Sequence, residues 1–490
     1  MIDNAPAPLR LPKTVVILGV PFHDVTMAET LAHIDAIIAE RRSRYLATAN
    51  LDFAAQASED VELQRILLEA HLVLCDGTPL IWASQWLKAP IRERVAGSDL
   101  MPELTAHCAA KGYRMFLLGA TDQTLARARA RMMADHPTLI IADTFAPPIA
   151  KLLDFDNDAI LARIHHAKPD VLIVCFGCPK QEKWIYMNLA QLNVPVSIGL
   201  GATLDFVAGN FKRAPVWMRK TGLEWLFRLG QEPKRLFNRY WVDLIFFVTG
   251  LRKQRASLAE QTTVKPGSNS APATASSPGN EPALVLTWAG RCDAARVATS
   301  DLETPPPELE DTLILIDLSA VEYLDSTALG LLLRIYRETK SRRSEFALLA
   351  PSSAVTELLK AMKLDRLLPA VSSVKDIRTR FNQQRQPETG SVRELRLDVA
   401  GDIVATRCPE LRRWLEQSWA REPQARTLDL NLSQVNFIDS SGLGLLLVVQ
   451  RLAEARPDGR IRLRGITSNV RNVITLARMD RVFDLPEDDL

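Results

Sequence analysis

The sequence predicts an α/β fold in several domains, and three observations carry that prediction. Over the first 255 residues, short apolar runs alternate with segments of helical period, the βαβ signature of a mostly parallel sheet. The stretch 256–282, ASLAEQTTVKPGSNSAPATASSPGNEP, holds hardly a bulky apolar side chain, cannot bury a core and reads as a disordered linker. Beyond it, one strand–turn–helix pattern occurs twice, 114 residues apart. With 490 residues, 47% of them hydrophobic, the chain has material for two to four domains with real cores.

Taken in order, the N-terminal MIDNAPAPLRLPK lacks the basic-then-apolar run of a secretory signal. Strands are expected at Thr14–Val20, Tyr45–Ala49, Leu72–Cys75, Met115–Leu118, Leu139–Ile141, Val171–Phe176 and Val196–Leu200. From Lys212 to Arg255, eleven Lys or Arg stand against Glu224, Glu232 and Asp243, a local net of +8. Phe211, Trp217, Trp225, Phe227, Phe237, Tyr240, Trp241, Phe246 and Phe247 are interleaved with those charges at roughly helical spacing. Aromatics among cations suit the surface of an anionic membrane; packing on the chain's own core and single-stranded nucleic acid are the alternatives.

After the linker, IDLSAVEYLDSTALGLLL from Ile316 aligns without gaps with LNLSQVNFIDSSGLGLLL from Leu430. Each copy runs from an apolar strand through an Asp-Ser turn into an apolar helix, with the Ser where an N-cap would stand. A loop rich in Gln and Pro, 382–390, separates two small α/β domains.

A net charge of only +2 excludes a polyelectrolyte that tracks nucleic acid. Six scattered cysteines do not make a disulfide framework and suit a reducing cytoplasm. No unbroken apolar run reaches the roughly 18 to 20 residues of a spanning helix, so a soluble or peripheral protein is expected.

Polar residues at the ends of apolar strands mark ligand sites in open α/β sheets. Asn50 ends YLATAN, Asp76 ends HLVLCD before Gly77, and Gln181 follows VLIVCFGCPK. A partly desolvated Asp76 gains basicity and could take a proton from a hydroxyl. Taken singly, each is more often a cap or turn residue; their joint position favours a site. Asp154-Phe155-Asp156 has the spacing of a divalent-metal motif but leads into a helical segment and reads as its solvated start. Cys175 and Cys178 have CxxC spacing, yet no second pair or nearby His pair completes a zinc site. No metal is expected.

The two repeats resemble the sulfate transporter and anti-sigma antagonist (STAS) family. The likeness rests on Asp325-Ser326-Thr327-Ala328-Leu329-Gly330 and Asp439-Ser440-Ser441-Gly442-Leu443-Gly444, with Asp317-Leu318-Ser319 and Asn431-Leu432-Ser433 before them. The resemblance implies a regulatory or docking role. It also makes Ser326 and Ser440 candidate phosphorylation sites, recognised by a kinase or a protein partner; N-capping is the other reading of both.

Upstream, Thr48-Ala49-Asn50, Cys75-Asp76-Gly77, Glu93-Arg94-Val95-Ala96-Gly97-Ser98-Asp99, Gly177-Cys178-Pro179-Lys180-Gln181-Glu182, Gly199-Leu200-Gly201-Ala202, Arg213-Ala214-Pro215 and Glu224-Trp225-Leu226-Phe227-Arg228 occur in the order found in the WecG/TagA/CpsF glycosyltransferases (glycosyltransferase family 26). The chain is similar to that family over about residues 14–245. The resemblance implies a Rossmann-like domain and an inverting, cofactor-free and metal-independent transfer of a sugar from UDP. That sugar is N-acetylmannosamine, its uronate or glucose, and the acceptor is a polyprenyl-diphosphate-linked saccharide of a bacterial surface or exopolysaccharide. It makes Asp76 the candidate base, and Thr48, Asn50, Arg94 and Gln181 the pocket lining. Arg228, Arg235 and Arg239 become diphosphate contacts from the tail, and the enzyme is placed on the inner face of the cell membrane. Ala49, Thr78 and Leu204 depart from the family's usual residues and bear on which sugar is taken.

The expected organisation is therefore a catalytic domain over 14–210, a basic aromatic membrane-associating tail over 211–255, a linker over 256–282, and STAS-like domains over 283–381 and 391–490. The partners expected are a UDP-sugar, a lipid-diphosphate acceptor, an anionic membrane and a protein docked on the repeats, with no nucleic acid. A STAS-based scaffold with an inactive transferase domain is the alternative, and a metal-dependent transferase using Asp154 and Asp156 a third reading.

Overall fold

The computed structural model describes residues 12–262, 283–372 and 394–483, short stretches within them excepted. The chain divides into two compact units, Met1–Ile185 with Gln191–Ser372, and Tyr186–Ala190 with Ser373–Leu490.

The α/β expectation holds. The first unit opens with β1 (Thr14–Ile17) and β2 (Val20–His23), an antiparallel hairpin. This corrects the single strand expected over Thr14–Val20. Leu18 and Gly19 both take positive φ, 53° and 82°, which gives the tight reversal a two-residue hairpin needs. The chain continues through α1 (Met27–Glu40), β3 (Arg44–Ala49), α2 (Leu51–Glu59), α3 (Val61–Glu69), β4 (Leu72–Cys75), α4 (Thr78–Trp86), α5 (Gly97–Lys111), β5 (Arg114–Gly119), α6 (Asp122–Asp135) and β6 (Ile140–Phe145). Then follow α7 (Asn157–Ala167), β7 (Val171–Cys175), α8 (Lys180–Leu192), β8 (Val196–Gly199) and α9 (Thr203–Val207).

Six strands form one parallel sheet in the order β4-β3-β8-β7-β5-β6. Strands β4, β7 and β8 are buried along their whole length, as strands of a parallel sheet covered on both faces are. Ile34, Ile37, Leu46, Leu74, Leu104, Leu117, Ile173 and Ile198 are fully enclosed in the resulting core. The strand order sets β3 beside β8, with β4 outside β3 and β7 beyond β8, and all six strands run parallel. The loops after β3, β4, β7 and β8 therefore open on one crevice. Asp156 accepts a hydrogen bond from the Ala159 N–H and caps α7, as its reading as a helix start requires.

Two helices close this part, α10 (Glu224–Gln231) and α11 (Pro233–Thr262). The latter extends into the stretch read as linker: Ala256–Thr262 are helical, in keeping with their Ala, Leu, Glu and Gln. Residues 263–282, the rest of that stretch, lie outside the described residues, as does the loop 382–390.

The first repeat comprises β9 (Ala283–Cys292), α12 (Ala294–Ala298), β10 (Leu313–Leu324), α13 (Ser326–Ser341), β11 (Glu345–Leu349), α14 (Ser353–Ala361) and β12 (Ala370–Val371). Its sheet is parallel in the order β12-β11-β10-β9. The second repeat, by itself, comprises β13 (Glu394–Ala400), α15 (Cys408–Arg421), β14 (Thr427–Gln434), α16 (Ser440–Glu454), β15 (Arg460–Arg464) and α17 (Ser468–Leu476), with a parallel sheet β13-β14-β15.

In both repeats the aspartate of the Asp-Ser turn does the capping. Asp325 accepts from the N–H groups of Thr327, Ala328 and Ala294, and Asp439 from those of Gly442 and Ala405. Ser326 and Ser440 are the first helical residues, so the reading of these serines as N-caps is corrected. A carboxylate accepts several N–H groups at once, which a hydroxyl does less well.

Candidate active site

The site is assembled at the C-terminal ends of β3, β4, β7 and β8. Asp76 follows β4, and its Oδ2 accepts the Gly97 N–H of the first turn of α5 at 3.1 Å. Burial raises the Asp76 carboxyl above its ordinary range; the Gly97 N–H and the charges of Arg94 and Arg228 oppose that rise, and Glu224 adds to it. A carboxylate so placed is more basic than a solvated one.

Thr48 and Asn50 come from the end of β3. Thr48 Oγ1 donates to the Gly199 carbonyl at 3.2 Å, tying β3 to β8. Asn50 Oδ1 accepts the Phe53 N–H at 3.1 Å and caps α2, so this residue serves as a cap while standing beside the Asp76-Gly77 turn.

Gln181 is 1% exposed. Its Oε1 accepts from both the Gly177 and Gly201 N–H groups, at 3.1 and 3.0 Å, and its Nε2 donates to Glu182 Oε1 at 2.7 Å. It braces the loops after β7 and β8, and among the described residues only its second amide N–H is left for a ligand. Glu182 is fully buried, and burial pushes its carboxyl up to about 7 against the hydrogen bonds that it accepts, the one from Gln181 foremost. Tyr45 Oη and Ser197 Oγ, on register-paired positions of β3 and β8, are buried beside it without hydrogen-bond partners among the described residues. Gly199 lies against this group: a Cβ there would stand 2.7 Å from Glu182 Oε1 and 2.8 Å from Gln181 Nε2.

Arg94 is held by two carboxylates, Asp99 at 2.8 Å and Glu224 at 3.4 Å. Asp99 also binds Arg213 at 2.7 Å, and Arg213 donates to the Ser98 carbonyl and hydroxyl as well. Three segments distant in sequence thus converge in one charged lattice. Sequence reasoning gives Asp99, Arg213, Glu224 and Glu182 no role of their own; only their presence in the quoted motifs points to them.

The tail arginines are placed unequally. Arg228 stands over the Phe206 ring, 4.9 Å from its centroid, and its charge reaches Asp76. Arg239 is paired with Asp52 of α2 at 2.8 Å and lies 3.9 Å from Asp243. That pairing takes up the charge expected to meet a diphosphate. The side chain of Arg235 lies outside the described residues.

Helix α11 is apolar on two faces. Leu236, Leu251, Gln254 and Leu258 are buried, whereas Phe237, Trp241, Val242, Leu244, Ile245 and Val248 are exposed. Trp82 and Trp86 of α4 are exposed too, and Arg255 lies 4.3 Å from the Trp86 ring, so α4 borders the tail. Among the described residues no helix is long and apolar enough to cross a membrane.

Residues 15–261 match the model of the Glycosyl transferase WecG/TagA/CpsF family. Residues 274–377 match the STAS domain, and residues 388–487 the Mlab, STAS domain. Among curated proteins, the chain is similar to N-acetylglucosaminyldiphosphoundecaprenol N-acetyl-beta-D-mannosaminyltransferases of Staphylococcus aureus strains MW2 and NCTC 8325 / PS 47. Each is 29% identical over 248 residues, which is 50% of this chain and 96% of the relative. A crevice built on Asp76 at the end of a parallel strand, in a half-chain matched from one end to the other, leads to one assignment. The chain belongs to the WecG/TagA/CpsF family and is a glycosyltransferase with two STAS domains behind its transferase half.

Proposed function

We propose that the protein transfers N-acetylmannosamine, or a close relative of it, from a UDP-sugar to an N-acetylglucosaminyl-diphospholipid at the inner face of the cell membrane, with inversion and without a metal. The names of the relatives support the sugar and the acceptor. The observation that carries the chemistry is Asp76: a carboxylate at a strand end, made more basic by burial and fixed by the Gly97 N–H. In this reading Asp76 takes the proton of the acceptor hydroxyl as its oxygen bonds to the anomeric carbon, and the electron pair of the breaking bond leaves with UDP. Arg228 supplies positive charge towards the departing diphosphate, while the charge-balanced Arg94–Asp99–Arg213–Glu224 lattice holds Arg94 in place. Thr48, Asn50 and Gln181 fix the walls against which donor and acceptor align.

The exposed aromatic face of α11, with Trp82 and Trp86, supports attachment to the bilayer that holds the acceptor. Ser326 and Ser440 remain candidate phosphorylation sites of the STAS domains. The deciding experiment is transfer from labelled UDP-N-acetylmannosamine to a short-chain N-acetylglucosaminyl-diphospholipid. Asp76→Asn should lower the rate by about 10²- to 10⁴-fold with UDP affinity kept. A variant within a few-fold of wild type would remove Asp76 from the mechanism.

A further inference from the structure

The face of a STAS domain that carries the Asp-Ser turn is expected to meet another protein. In the first repeat that face is already covered by the chain's own transferase domain. Ser326 is 2% exposed, and its Oγ accepts from Gln254 Nε2 of α11 at 3.3 Å. The same Gln254 amide donates to the Val16 carbonyl and accepts the Leu18 N–H, both at 2.9 Å, so one buried side chain ties the hairpin, the tail helix and the STAS helix together. One turn along α13, Gly330 lies so close to the Thr14 carbonyl that no Cβ fits. Farther on, Arg337 donates to the Ala70 and His71 carbonyls. The end of α14 closes the contact: the Met362 carbonyl accepts from Gln64 Nε2 at 3.1 Å, and Lys363 pairs with Glu59 at 2.7 Å.

The elements gripped are the ones that reach the site. Helix α2 starts at the Asn50 cap and ends at Glu59 under Lys363. Helix α11 carries Gln254 and, about 22 Å back along its axis at 1.5 Å per residue, Arg239 on Asp52. We infer that the partner of the first STAS domain is the transferase domain of the same chain, and that this docking holds the tail helix where it serves the lipid acceptor. The kinetic part of this rests on the transferase reading above. A charged group on Ser326 has no room beside Gln254 and would sit unpaired in a dry contact, at a heavy desolvation cost. Such a group therefore releases the domain.

The test uses the full chain, with hydrogen exchange read by mass spectrometry over Thr14–His23 and Leu251–Leu258, and steady-state transfer read beside it. Ser326→Glu, Gly330→Leu and Arg337→Ala attack the contact in three chemically different ways, so that a folding defect in one does not decide the matter. Each should speed exchange of the Leu18 amide. Each should also lower kcat/KM for the lipid acceptor by about 5-fold or more, the size of a typical coupling between sites, with KM for the UDP-sugar unchanged. Wild-type exchange in all three variants would overturn the docking. Faster exchange with unchanged acceptor kinetics would overturn its effect on the tail. If the wild-type chain transferred no sugar at all, the transferase reading would fall and the exchange data would still decide the docking.

Discussion

Asp76 and Glu182 are both pushed up by burial, and their pH signatures differ. A base works only when ionised, so kcat/KM should fall on acidification through an apparent pKa above the ordinary 3.8 of an aspartate, a limb that a pH–rate profile measures. Glu182 acts on stability. The folded chain holds its proton up to about 7 while the unfolded chain releases it near 4.5. Over that window the folded state binds more protons, so stability falls as pH rises, by on the order of 3 kcal/mol in all. Glu182→Gln keeps an acceptor for the Gln181 amide and removes the penalty. Urea unfolding should find the variant more stable than wild type above pH 7, with the gap closing near pH 4.5. Gly199→Ala drives a methyl into the same group and should cost about 1–3 kcal/mol and most of the activity, read by thermal melts and transfer assay.

At the scale of elements, α11 shows what composition conveys and what it leaves out. Its aromatics and charges suit a membrane surface or a packed helix as alternatives, and the helix has one buried and one exposed apolar face. The exposed stripe yields a prediction: Phe237→Ser with Trp241→Ser should weaken binding to anionic liposomes without shifting the melting temperature, because neither ring is buried. Added salt should weaken it further, since each Lys or Arg near the surface contributes on the order of 1 kcal/mol. Co-sedimentation checks both. Asn50, Asp76 and Gln181 are legible in the sequence because each follows a short apolar strand, a local signal. The Arg94–Asp99–Arg213 lattice is not, because its members meet only after the sheet has closed. The β1–β2 hairpin is hidden by its turn: Leu18-Gly19 continues an apolar run where Asn-Gly would have announced a reversal. The serines of the repeats pass for caps because a preceding aspartate can take that place, which spacing alone does not decide.

For the whole molecule, the transferase and the first STAS repeat lie in one compact unit, and the tail joins them through Gln254. Leu251→Ala, in the buried stripe of α11, should cost about 2–5 kcal/mol and lower acceptor turnover along with stability, measured on the same protein by calorimetry and transfer. The gapless repeat also supplies an internal control for mutational tolerance. Gly330 and Gly444 occupy the same place in the two copies. A methyl at Gly330 would collide with the Thr14 carbonyl, whereas one at Gly444 would meet nothing within 4 Å among the described residues. Saturation mutagenesis scored for transfer should accept many residues at 444 and almost none at 330. The duplicated sequence would then read as two histories, one copy frozen by its attachment to the enzyme and the other free to drift towards new recognition.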